Sequence, residues 1–442
     1  MKVKDLDQNT AFVSGSIFSG GGLGDVGIEW GGGVPVIAAS ELLPSRAALL
    51  RANFTNTKVF EGDICREKDN YISYFKQKLA GKRPWLLTLS PPCQGMSSNG
   101  AGKLSAAVKA GNRSSEDPRN RLILPGIDIV EKLQPDWFVL ENVRRMENTI
   151  IRNEQNKPEN ILSCLSRRLH PLGYTIRANI LDFRSYGVPH HRERLITIGC
   201  RIPCVVSLVS PIDKIYSTCL SPLHPMPSHG PMCKLPYVSL RDAIGHLPAL
   251  DAHTKLTDSE DPYHNIPPWN EKQYFWMRHT PEGQTAFDNL QCPDCQKIAG
   301  NPTAVRCSCG SSLPRPQKEE NGRSRLVRGF RSSYRRMNWN KPASTLTMNS
   351  GVISSDVKGH PVQNRVLSLR EILILSTLDH PLWKDRFTFR GIPFGRMKKN
   401  ELFSKKLIRE VVGESIPPLA MLKIIERLKE LDPRVCKLKG SL

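Results

Sequence analysis

Two residues of this chain carry functional groups suited to covalent attack on an electron-poor ring. Cys93 follows Pro91 and Pro92 directly after an apolar run, and Glu141 stands at the end of a second apolar run. A thiolate is well suited to add to such a ring at neutral pH, and a carboxyl group can hold a proton at a ring nitrogen. An isolated cysteine is more often a small buried apolar residue, so this hypothesis depends on the motifs that surround Cys93.

A glycine-rich turn lies upstream of these two residues. Phe18 closes a short apolar run and is followed by Ser-Gly-Gly-Gly-Leu-Gly-Asp, with Gly20 and Gly22 inside the turn. Such a composition lets the backbone approach a nucleotide-like cofactor closely. Many Rossmann-type folds carry a similar turn for nucleotide phosphates, so the turn alone does not identify the cofactor.

The elements that must position these residues follow an α/β pattern. Strand-like apolar runs alternate with helix-like segments, which predicts a doubly wound sheet. The predicted strands are residues 16–18, 34–39, 85–89, 137–140 and 194–199, and the predicted helices are 44–53, 69–79, 122–133 and 160–169. From about residue 201 to 342 prolines crowd in and periodicity weakens, which indicates a second, irregular domain. A helical pattern returns over 402–431, interrupted by Gly413 and by Pro417 and Pro418.

Taken together, these motifs resemble the cytosine carbon-5 DNA methyltransferase family. The resemblance covers most of residues 12–200 and returns at 365–425. It implies an α/β, Rossmann-like S-adenosylmethionine-dependent domain with a mixed, mostly parallel sheet over residues 1–203, completed by residues 402–442. A smaller, irregular target-recognition domain is expected over residues 204–401.

The resemblance also assigns roles to the reactive residues. Cys93 would add to carbon 6 of the cytosine, and Glu141 would hold or donate a proton at ring nitrogen 3. Arg192 and Arg194 match the paired Arg-x-Arg of the family, and we expect Arg194 on the target cytosine and Arg192 in support of Glu141. His190 stands where glutamine is usual. The alternative for the two arginines is an ordinary salt-bridged pair beside a strand.

The methyl donor implied by the resemblance is S-adenosyl-L-methionine. Glu41 is expected at the ribose, where a solvated acid at a strand end is the alternative, and residues 61–64 match the adenine-binding turn. Glu414 stands where asparagine is commoner, near the methionine tail. The full set of expected cofactor contacts is Phe18, Gly20, Gly22, Glu41, Asp63, Ile64, Pro91, Leu122, Glu414 and Ser415.

A polar segment follows the expected nucleophile. Residues 95–118 are rich in Gly, Ser, Asn and Lys and poor in large apolar groups, so they cannot pack a core of their own. Enzymes that act on a base inside a duplex must swing it out of the stack, and a loop of this kind could close over the DNA. We expect Gln94, Ser97 and Ser98 to contact DNA. An ordinary disordered linker is the alternative.

Four cysteines in the irregular region have the spacing of a metal site. Cys292 and Cys295 form a Cys-x2-Cys pair, and Cys307 and Cys309 form a tighter Cys-x-Cys pair. Four thiolates so arranged suit a tetrahedral structural zinc, with unrelated reduced thiols as the alternative.

The chain is strongly basic, with 63 Lys and Arg against 42 Asp and Glu and a formal net charge of +21. Because Lys and Arg contacts to phosphate supply much of nucleic-acid affinity, this charge predicts a polyanionic partner, with a generally basic soluble protein as the alternative. The family resemblance implies that the partner is double-stranded DNA. One stretch holds six arginines with no acid between them, interleaved with aromatic residues, and we expect it to contact DNA rather than to be a merely solvated basic strand. These arginines are Arg323, Arg325, Arg328, Arg331, Arg335 and Arg336.

Further expectations concern location and role. No apolar run is long enough to cross a membrane and the first residues lack a signal-peptide apolar core, so we expect a cytoplasmic, nucleoid-associated protein. A compact chain of this kind resembles the modification enzyme of a restriction or antiviral-defence system, with cognate restriction or defence proteins as partners. Two alternatives are a tRNA cytosine-5 methyltransferase and a catalytically idle nucleic-acid-binding protein. Ser90 and Cys93 argue against an amino-group methyltransferase.

Overall fold

A seven-stranded sheet organises the first half of the chain in the computed structural model, which describes residues 10–92, 96, 117–209, 215–389 and 404–438. The strands are, in chain order, β1 Thr10–Ile17, β2 Val36–Glu41, β3 Lys58–Glu61, β4 Arg83–Leu89, β5 Trp137–Asn142, β6 Ile150–Arg152, β7 Pro158–Asn160, β8 Thr175–Asp182 and β9 Glu193–Cys200. The sheet has the order β3-β2-β1-β4-β5-β9-β8, and β6 and β7 form a separate hairpin.

The direction of the strands decides which residues meet at one edge of the sheet. Strands β1 to β5 run parallel to one another, whereas β9 runs antiparallel to both β5 and β8. Ligands of open α/β sheets bind at the carboxyl ends of the parallel strands. Because β9 is reversed, its amino end lies at that same edge. The prediction of an α/β fold with a mixed, mostly parallel sheet is therefore confirmed.

Helices cover both faces of the sheet. A short turn of helix, α1 Leu23–Asp25, continues as a π-helix over Val26–Gly31. The remaining α-helices are α2 Pro44–Asn53, α3 Ile64–Lys78, α4 Ile123–Leu133, α5 Ile161–Leu169, α6 Pro203–Val206, α7 Leu240–Ile244, α8 Glu271–Arg278, α9 Leu369–Leu375, α10 Lys405–Glu414, α11 Pro418–Leu431 and α12 Pro433–Leu438. None of these described helices is both long enough and apolar enough to cross a lipid bilayer.

Alternate residues of the central strands enter two different cores. Leu87 and Phe138 pack on the face covered by α3, α4 and α5, whereas Leu86 and Val139 pack on the opposite face. Helix α11 supplies much of the cover on that second face, with buried apolar residues at Ala420, Met421, Ile424, Ile425 and Leu428. Strands buried on both faces read as continuous apolar runs, which is why β4 and β5 were visible in the sequence.

A buried ionic cluster fastens the end of the chain to the middle of the sheet. The indole Nε1 of Trp85, in β4, donates to Asp432 Oδ2 at 2.9 Å. Arg434 lies 2.6 Å from Asp432 and 2.6 Å from Asp136, the residue before β5. Asp432 is fully buried. Removing one partner from such a cluster leaves an uncompensated charge, so these contacts hold α11 and α12 against the sheet.

Three details differ from the sequence-based prediction. Strands β3 and β8 were not predicted, because β3 is only four residues long and β8 carries buried polar residues such as Arg177 and Asn179. Gly413 does not interrupt the helix, since α10 continues to Glu414. A Cβ at Gly413 would lie 2.2 Å from the Met348 nitrogen, so glycine allows a close approach of two backbones there.

Residues 215–368 are mostly irregular, as their proline content predicted. Their described elements include α7, α8 and a two-stranded hairpin of β10 Gln317–Glu320 with β11 Arg323–Leu326. This part of the chain has a small apolar core of its own, formed by Leu250, Ala252, Ile266, Trp269, Trp276, Met277, Ala286, Ile353 and Val366. The division into residues 1–203 with 402–442 and residues 204–401 stays a prediction.

A buried carboxyl group lies below the glycine-rich turn. Asp25 is 3% exposed and accepts a hydrogen bond from Ser16 Oγ at 3.1 Å, and Ser16 Oγ lies 2.7 Å from Ser19 Oγ. Burial raises the pKa of Asp25 from 3.8 to about 7, although the Ser16 hydrogen bond opposes the rise. The folded chain therefore holds a proton on Asp25 that the unfolded chain releases at much lower pH.

This proton predicts a pH-dependent stability difference for Asp25→Asn. The contribution of Asp25 is fully present below pH 4 and is lost as pH rises towards about 7, by up to about 1.4 kcal/mol per pH unit. The asparagine variant should lose less unfolding free energy over that window. Urea denaturation at pH 5, 6, 7 and 8 measures it, with Asp69→Asn, an exposed site in α3, as control. Parallel pH profiles for wild type and Asp25→Asn would contradict this account.

Candidate active site

Glu141 and Arg194 form an ion pair at the carboxyl edge of the sheet. Glu141, in β5, pairs in register with Ile196 of β9, and Arg194 lies two residues nearer the amino end of β9. The Nε of Arg194 is 2.8 Å from Glu141 Oε1. Glu141 is 8% exposed, so its carboxylate is largely withdrawn from water. A planar guanidinium on one carboxylate oxygen fixes the acid in orientation and leaves the other oxygen for a ligand.

The two arginines of the Arg-x-Arg motif have different partners from those expected. Arg192 is 1% exposed, and its guanidinium donates to the backbone carbonyls of Leu346, Gly413 and Glu414 at 3.2, 3.1 and 3.0 Å. The expectation that Arg192 supports Glu141 is therefore corrected, because Arg194 makes that contact. The physical reason is that Arg192 precedes the first residue of β9, so it does not follow the alternation of the strand and lies beside the returning chain.

His190 lies next to this pair as a neutral base. It is buried, and burial together with nearby Arg192 lowers its pKa to about 3. Its neighbour His191 is tied to Ala343, whose carbonyl accepts from the His191 amide at 2.9 Å. The motif is thereby fixed to residues 343–346 as well as to the sheet.

Asn142 connects the Glu141 strand to the segment that leads to the expected nucleophile. Its Nδ2 donates to the Pro91 carbonyl at 3.1 Å, and the Ser90 amide donates to the Ile17 carbonyl at 3.1 Å. Pro91 is buried. The backbone is therefore held at two points directly before Cys93. Cys93 itself, with Gln94, Ser97 and Ser98, lies outside the described residues, so their roles stay predictions.

Asn142 was assigned no role from the sequence. Asn142 is 1% exposed, and besides binding the Pro91 carbonyl its Oδ1 accepts from the Val143 amide at 2.8 Å. A buried amide that satisfies two backbone groups is a positioning residue. Its position directly after Glu141 was the only signal in the sequence.

The glycine-rich turn is built around the carboxylate of Glu41. Glu41 Oε2 accepts from the Gly20 amide and Oε1 accepts from the Leu43 amide, both at 2.9 Å. Gly20 and Gly22 have φ of +58° and +83°, a region that favours glycine. Phe18 also has a positive φ, of +60°. Burial raises the pKa of Glu41, while the Leu43 hydrogen bond and nearby Arg46 oppose the rise.

The expected adenine-binding turn is joined to the same acid. Glu41 pairs in register with Glu61 of β3, and the Gly62 amide donates to the Glu41 carbonyl at 3.0 Å. Asp63 caps α3, accepting from the Cys65 amide at 2.9 Å, and Ile64 begins that helix and is buried. The ends of β1, β2 and β3 thus meet at one place, and binding of adenine by residues 61–64 stays a prediction. Leu122 lies farther along the chain, half-buried at the end of a short 3-10 turn before α4.

The returning segment closes over the glycine-rich turn. A Cβ at Gly20 would lie 3.8 Å from Ser415 Oγ, so Ser415 borders the turn. The carboxylate of Glu414 instead forms a 2.5 Å ion pair with Arg46 of α2. Its backbone carbonyl is held by Arg192. Glu414 therefore ties α10 to α2, and a direct contact of its side chain with cofactor stays a prediction.

The four cysteines lie together. Their Sγ atoms are all within 4.8 Å of one another, with 3.6 Å between Cys292 and Cys309 and 3.5 Å between Cys295 and Cys307. Each pair ends in a left-handed residue, Gln296 after the first and Gly310 after the second. The chain turns at Gln296 and at Gly310, and the two cysteine pairs face each other.

The arginine-rich stretch is only partly a surface. Arg323, Arg325, Arg328 and Arg331 are exposed, and Arg335 is half-buried with its Nε on the Gly283 carbonyl at 3.0 Å. Arg336 is 3% exposed and donates to four backbone carbonyls and to Asn364 Oδ1. The expectation that Arg336 contacts DNA is therefore wrong, because its guanidinium is consumed in holding the local backbone together.

Comparison with known proteins agrees with this geometry. A model of the C-5 cytosine-specific DNA methylase family matches residues 12–430. Type II methyltransferase M1.HgaI of Avibacterium volantium is 30% identical over 428 residues, covering 93% of this chain and 97% of the relative. Type II methyltransferase M1.HphI of Haemophilus parahaemolyticus is 24% identical over 418 residues, covering 94% and 86%.

Solved structures show the same fold. A DNA modification methyltransferase encoded within a prophage of E. coli has a TM-score of 0.56 at 17% identity, covering 95% of this chain and 99% of its own. A DNMT2 mutant from Spodoptera frugiperda has a TM-score of 0.53 at 15% identity, with the same coverage. The chain belongs to the C-5 cytosine-specific DNA methylase family and is a DNA (cytosine-5-)-methyltransferase.

Proposed function

We propose that this enzyme transfers the methyl group of S-adenosylmethionine to carbon 5 of a cytosine flipped out of a specific duplex DNA sequence. The proposal rests on one observation, that two groups of residues lie at the same edge of the sheet. One is the Glu141–Arg194 pair beside the clamped backbone before Cys93, and the other is the glycine-rich turn bound to Glu41.

The residues at the cofactor end fit the chemistry of this donor. The Glu41 carboxylate stands at the end of β2 where ribose hydroxyls could bind, and Asp63 is exposed beside it at the end of β3. Ser415 borders the turn from the other side. When bound, S-adenosylmethionine supplies an electrophilic methyl group. Phe18, Gly20 and Gly22 would form the floor against which its tail lies.

The residues at the cytosine end would make carbon 5 nucleophilic. The Cys93 thiolate would add its electron pair to carbon 6 while Glu141 holds a proton at ring nitrogen 3, which gives an enamine. Arg194 would orient Glu141 and could reach the same base. Carbon 5 would then take the methyl group as the bond from that methyl to the sulfonium sulfur breaks, which leaves S-adenosylhomocysteine. Loss of the carbon 5 proton to water would expel Cys93 as thiolate, and the proton on ring nitrogen 3 would return to Glu141, so that ring and enzyme are both restored.

The setting proposed is modification of host DNA in a restriction or antiviral-defence system. Two similar proteins are named Type II methyltransferases, which supports a role in restriction-modification. A cognate endonuclease would then be a partner, and the substrate would place the enzyme at the nucleoid in the cytoplasm. The net charge of +21 supports a polyanionic substrate.

The cysteine cluster would hold a structural zinc ion. Zinc with four thiolates at about 2.3 Å requires sulfur atoms about 3.8 Å apart, close to the 3.5 and 3.6 Å between the paired Sγ atoms. The apolar cover of this module is small, consisting of Leu313 with partly buried Ala299 and Ala304. Cys292, Cys295, Cys307 and Cys309 would use every coordination position, so the ion would stabilise the fold and take no part in methyl transfer.

Methyl transfer can be tested directly with radiolabelled S-adenosylmethionine, unmethylated plasmid DNA and bulk tRNA. Wild type should label plasmid DNA as 5-methylcytosine, and Cys93→Ala should label nothing because it lacks the attacking thiolate. Bisulfite sequencing of the product then gives the target. Label in tRNA alone would move the enzyme to RNA, and binding of DNA without label would favour an idle binder.

Alanine variants of the two arginines should separate chemistry from cofactor binding. Arg194→Ala removes the partner of Glu141, so kcat should fall about 100-fold, and the buried carboxylate left unpaired should also lower the melting temperature. Arg192→Ala leaves three backbone carbonyls without their donor, and each buried acceptor left unsatisfied costs about 1–3 kcal/mol of folding stability. It should lower the melting temperature and raise KM for S-adenosylmethionine more than it lowers kcat. Equal effects of both variants on kcat would contradict these roles.

Zinc content can be measured by elemental analysis of the purified protein. We expect about one zinc per chain in wild type, and none in Cys292→Ser combined with Cys307→Ser, with a lower melting temperature. Cys219→Ser, at an exposed cysteine outside the cluster, should retain the metal. Metal-free wild type with four titratable thiols at these positions would overturn the assignment.

A further inference from the structure

One exposed aromatic side chain lies among the exposed arginines of residues 323–331. Phe330 is 81% exposed, and its flanking residues Arg328 and Arg331 are exposed as well. A single exposed apolar residue is ordinary on a protein surface. What distinguishes Phe330 is its position between two cations at the start of a turn, since such surroundings suit a ligand with both negative charge and flat apolar faces.

The turn that begins at Phe330 is anchored to neighbouring segments by hydrogen bonds and ring contacts. The Phe330 carbonyl accepts from the Ser333 amide at 2.9 Å, and the Ser333 carbonyl accepts from Thr285 Oγ1 at 3.0 Å. Next along the chain, the Tyr334 ring packs edge-on against Trp276 and Phe287, with centroids 5.4 and 6.0 Å away. The backbone at Phe330 is therefore held in place before any ligand arrives.

Similar anchoring contacts continue along the chain to the candidate active site. Arg336 is buried among backbone carbonyls, and a few residues later Ala343 pairs with His190 through the His191 amide and the Pro189 carbonyl. Thr345 Oγ1 donates to the His191 carbonyl at 2.8 Å. A continuous described segment thus joins the Phe330 turn to the Arg-x-Arg motif.

We infer that Phe330 stacks on DNA bases by inserting into the duplex while Arg328 and Arg331 bind the flanking phosphates. Inserted apolar wedges partly unstack a base step and let the duplex bend, which lowers the cost of extracting a nearby base. Arg331 also contacts Asp288, whose carboxylate would keep its guanidinium oriented until phosphate replaces it. Because the turn is already ordered, little entropy is lost on binding. This inference rests on the proposed function for the identity of the partner as duplex DNA.

Salt dependence distinguishes stacking from charge contacts. Affinity for linear unmethylated plasmid DNA is measured by filter binding at several salt concentrations. Phe330→Ala should weaken binding about tenfold at every concentration without changing the slope of log K against log salt, because stacking releases no counterions. Phe330→Trp should bind within about twofold of wild type. Arg328→Gln should instead lower the slope by about 0.9.

Two controls make the outcome decisive. Met232→Ala, at a fully exposed apolar residue outside the arginine stretch, should bind as wild type, and melting temperature and S-adenosylmethionine binding should be unchanged in Phe330→Ala. Unaltered affinity of Phe330→Ala, or a slope change like that of Arg328→Gln, would overturn the stacking role. If wild type binds plasmid without methylating it, the proposed function fails while stacking stands. If wild type methylates plasmid and Phe330→Ala binds normally, only the stacking role fails.

Discussion

The antiparallel pairing of β5 with β9 is the constraint on which the site depends. Register places Glu141 opposite Ile196 and Asn142 opposite Leu195, so the amino end of β9 is held at the edge where the parallel strands finish. If β9 ran parallel to β5, its amino end and Arg194 would lie at the opposite edge of the sheet, away from Glu141. With the reversed strand, one ladder of backbone hydrogen bonds fixes the acid, its arginine and, through Asn142, the chain that leads to Cys93.

A second set of contacts joins parts of the chain that are remote in sequence. Arg192 gathers carbonyls from residues 346, 413 and 414, and Arg46 binds the Glu414 side chain. Both are charged groups in largely buried places, where each lost hydrogen bond is expensive. The glycine-rich turn, the Arg-x-Arg motif and residues 343–346 are consequently not independent, because the same contacts fix all three.

Sequence reasoning found the residues at strand ends because strands buried on both faces read as apolar runs and because the motifs that follow them are short and local. It found the four cysteines for the same reason, since spacing alone brings them together. It did not find the partners of Arg192 or the burial of Arg336, because both depend on carbonyls contributed by distant segments. Exposure and burial of an arginine look identical in a sequence, and a backbone acceptor leaves no side-chain signal. Asn142 was missed as a clamp because its partner is also a carbonyl.

The cover that α11 provides has a consequence for synthesis of the chain. The apolar residues of β4, β5 and β9 on that face, among them Leu86, Val139 and Ile196, are covered by residues 416–428 and sealed by Asp432 and Arg434. The covering residues, 416–434, are all made after the strands that they cover. While the ribosome is still making residues 215–368, the growing polypeptide carries an uncovered apolar face that can associate with other nascent chains or with chaperones. The sheet can reach its final packing only after residues 416–434 have been made.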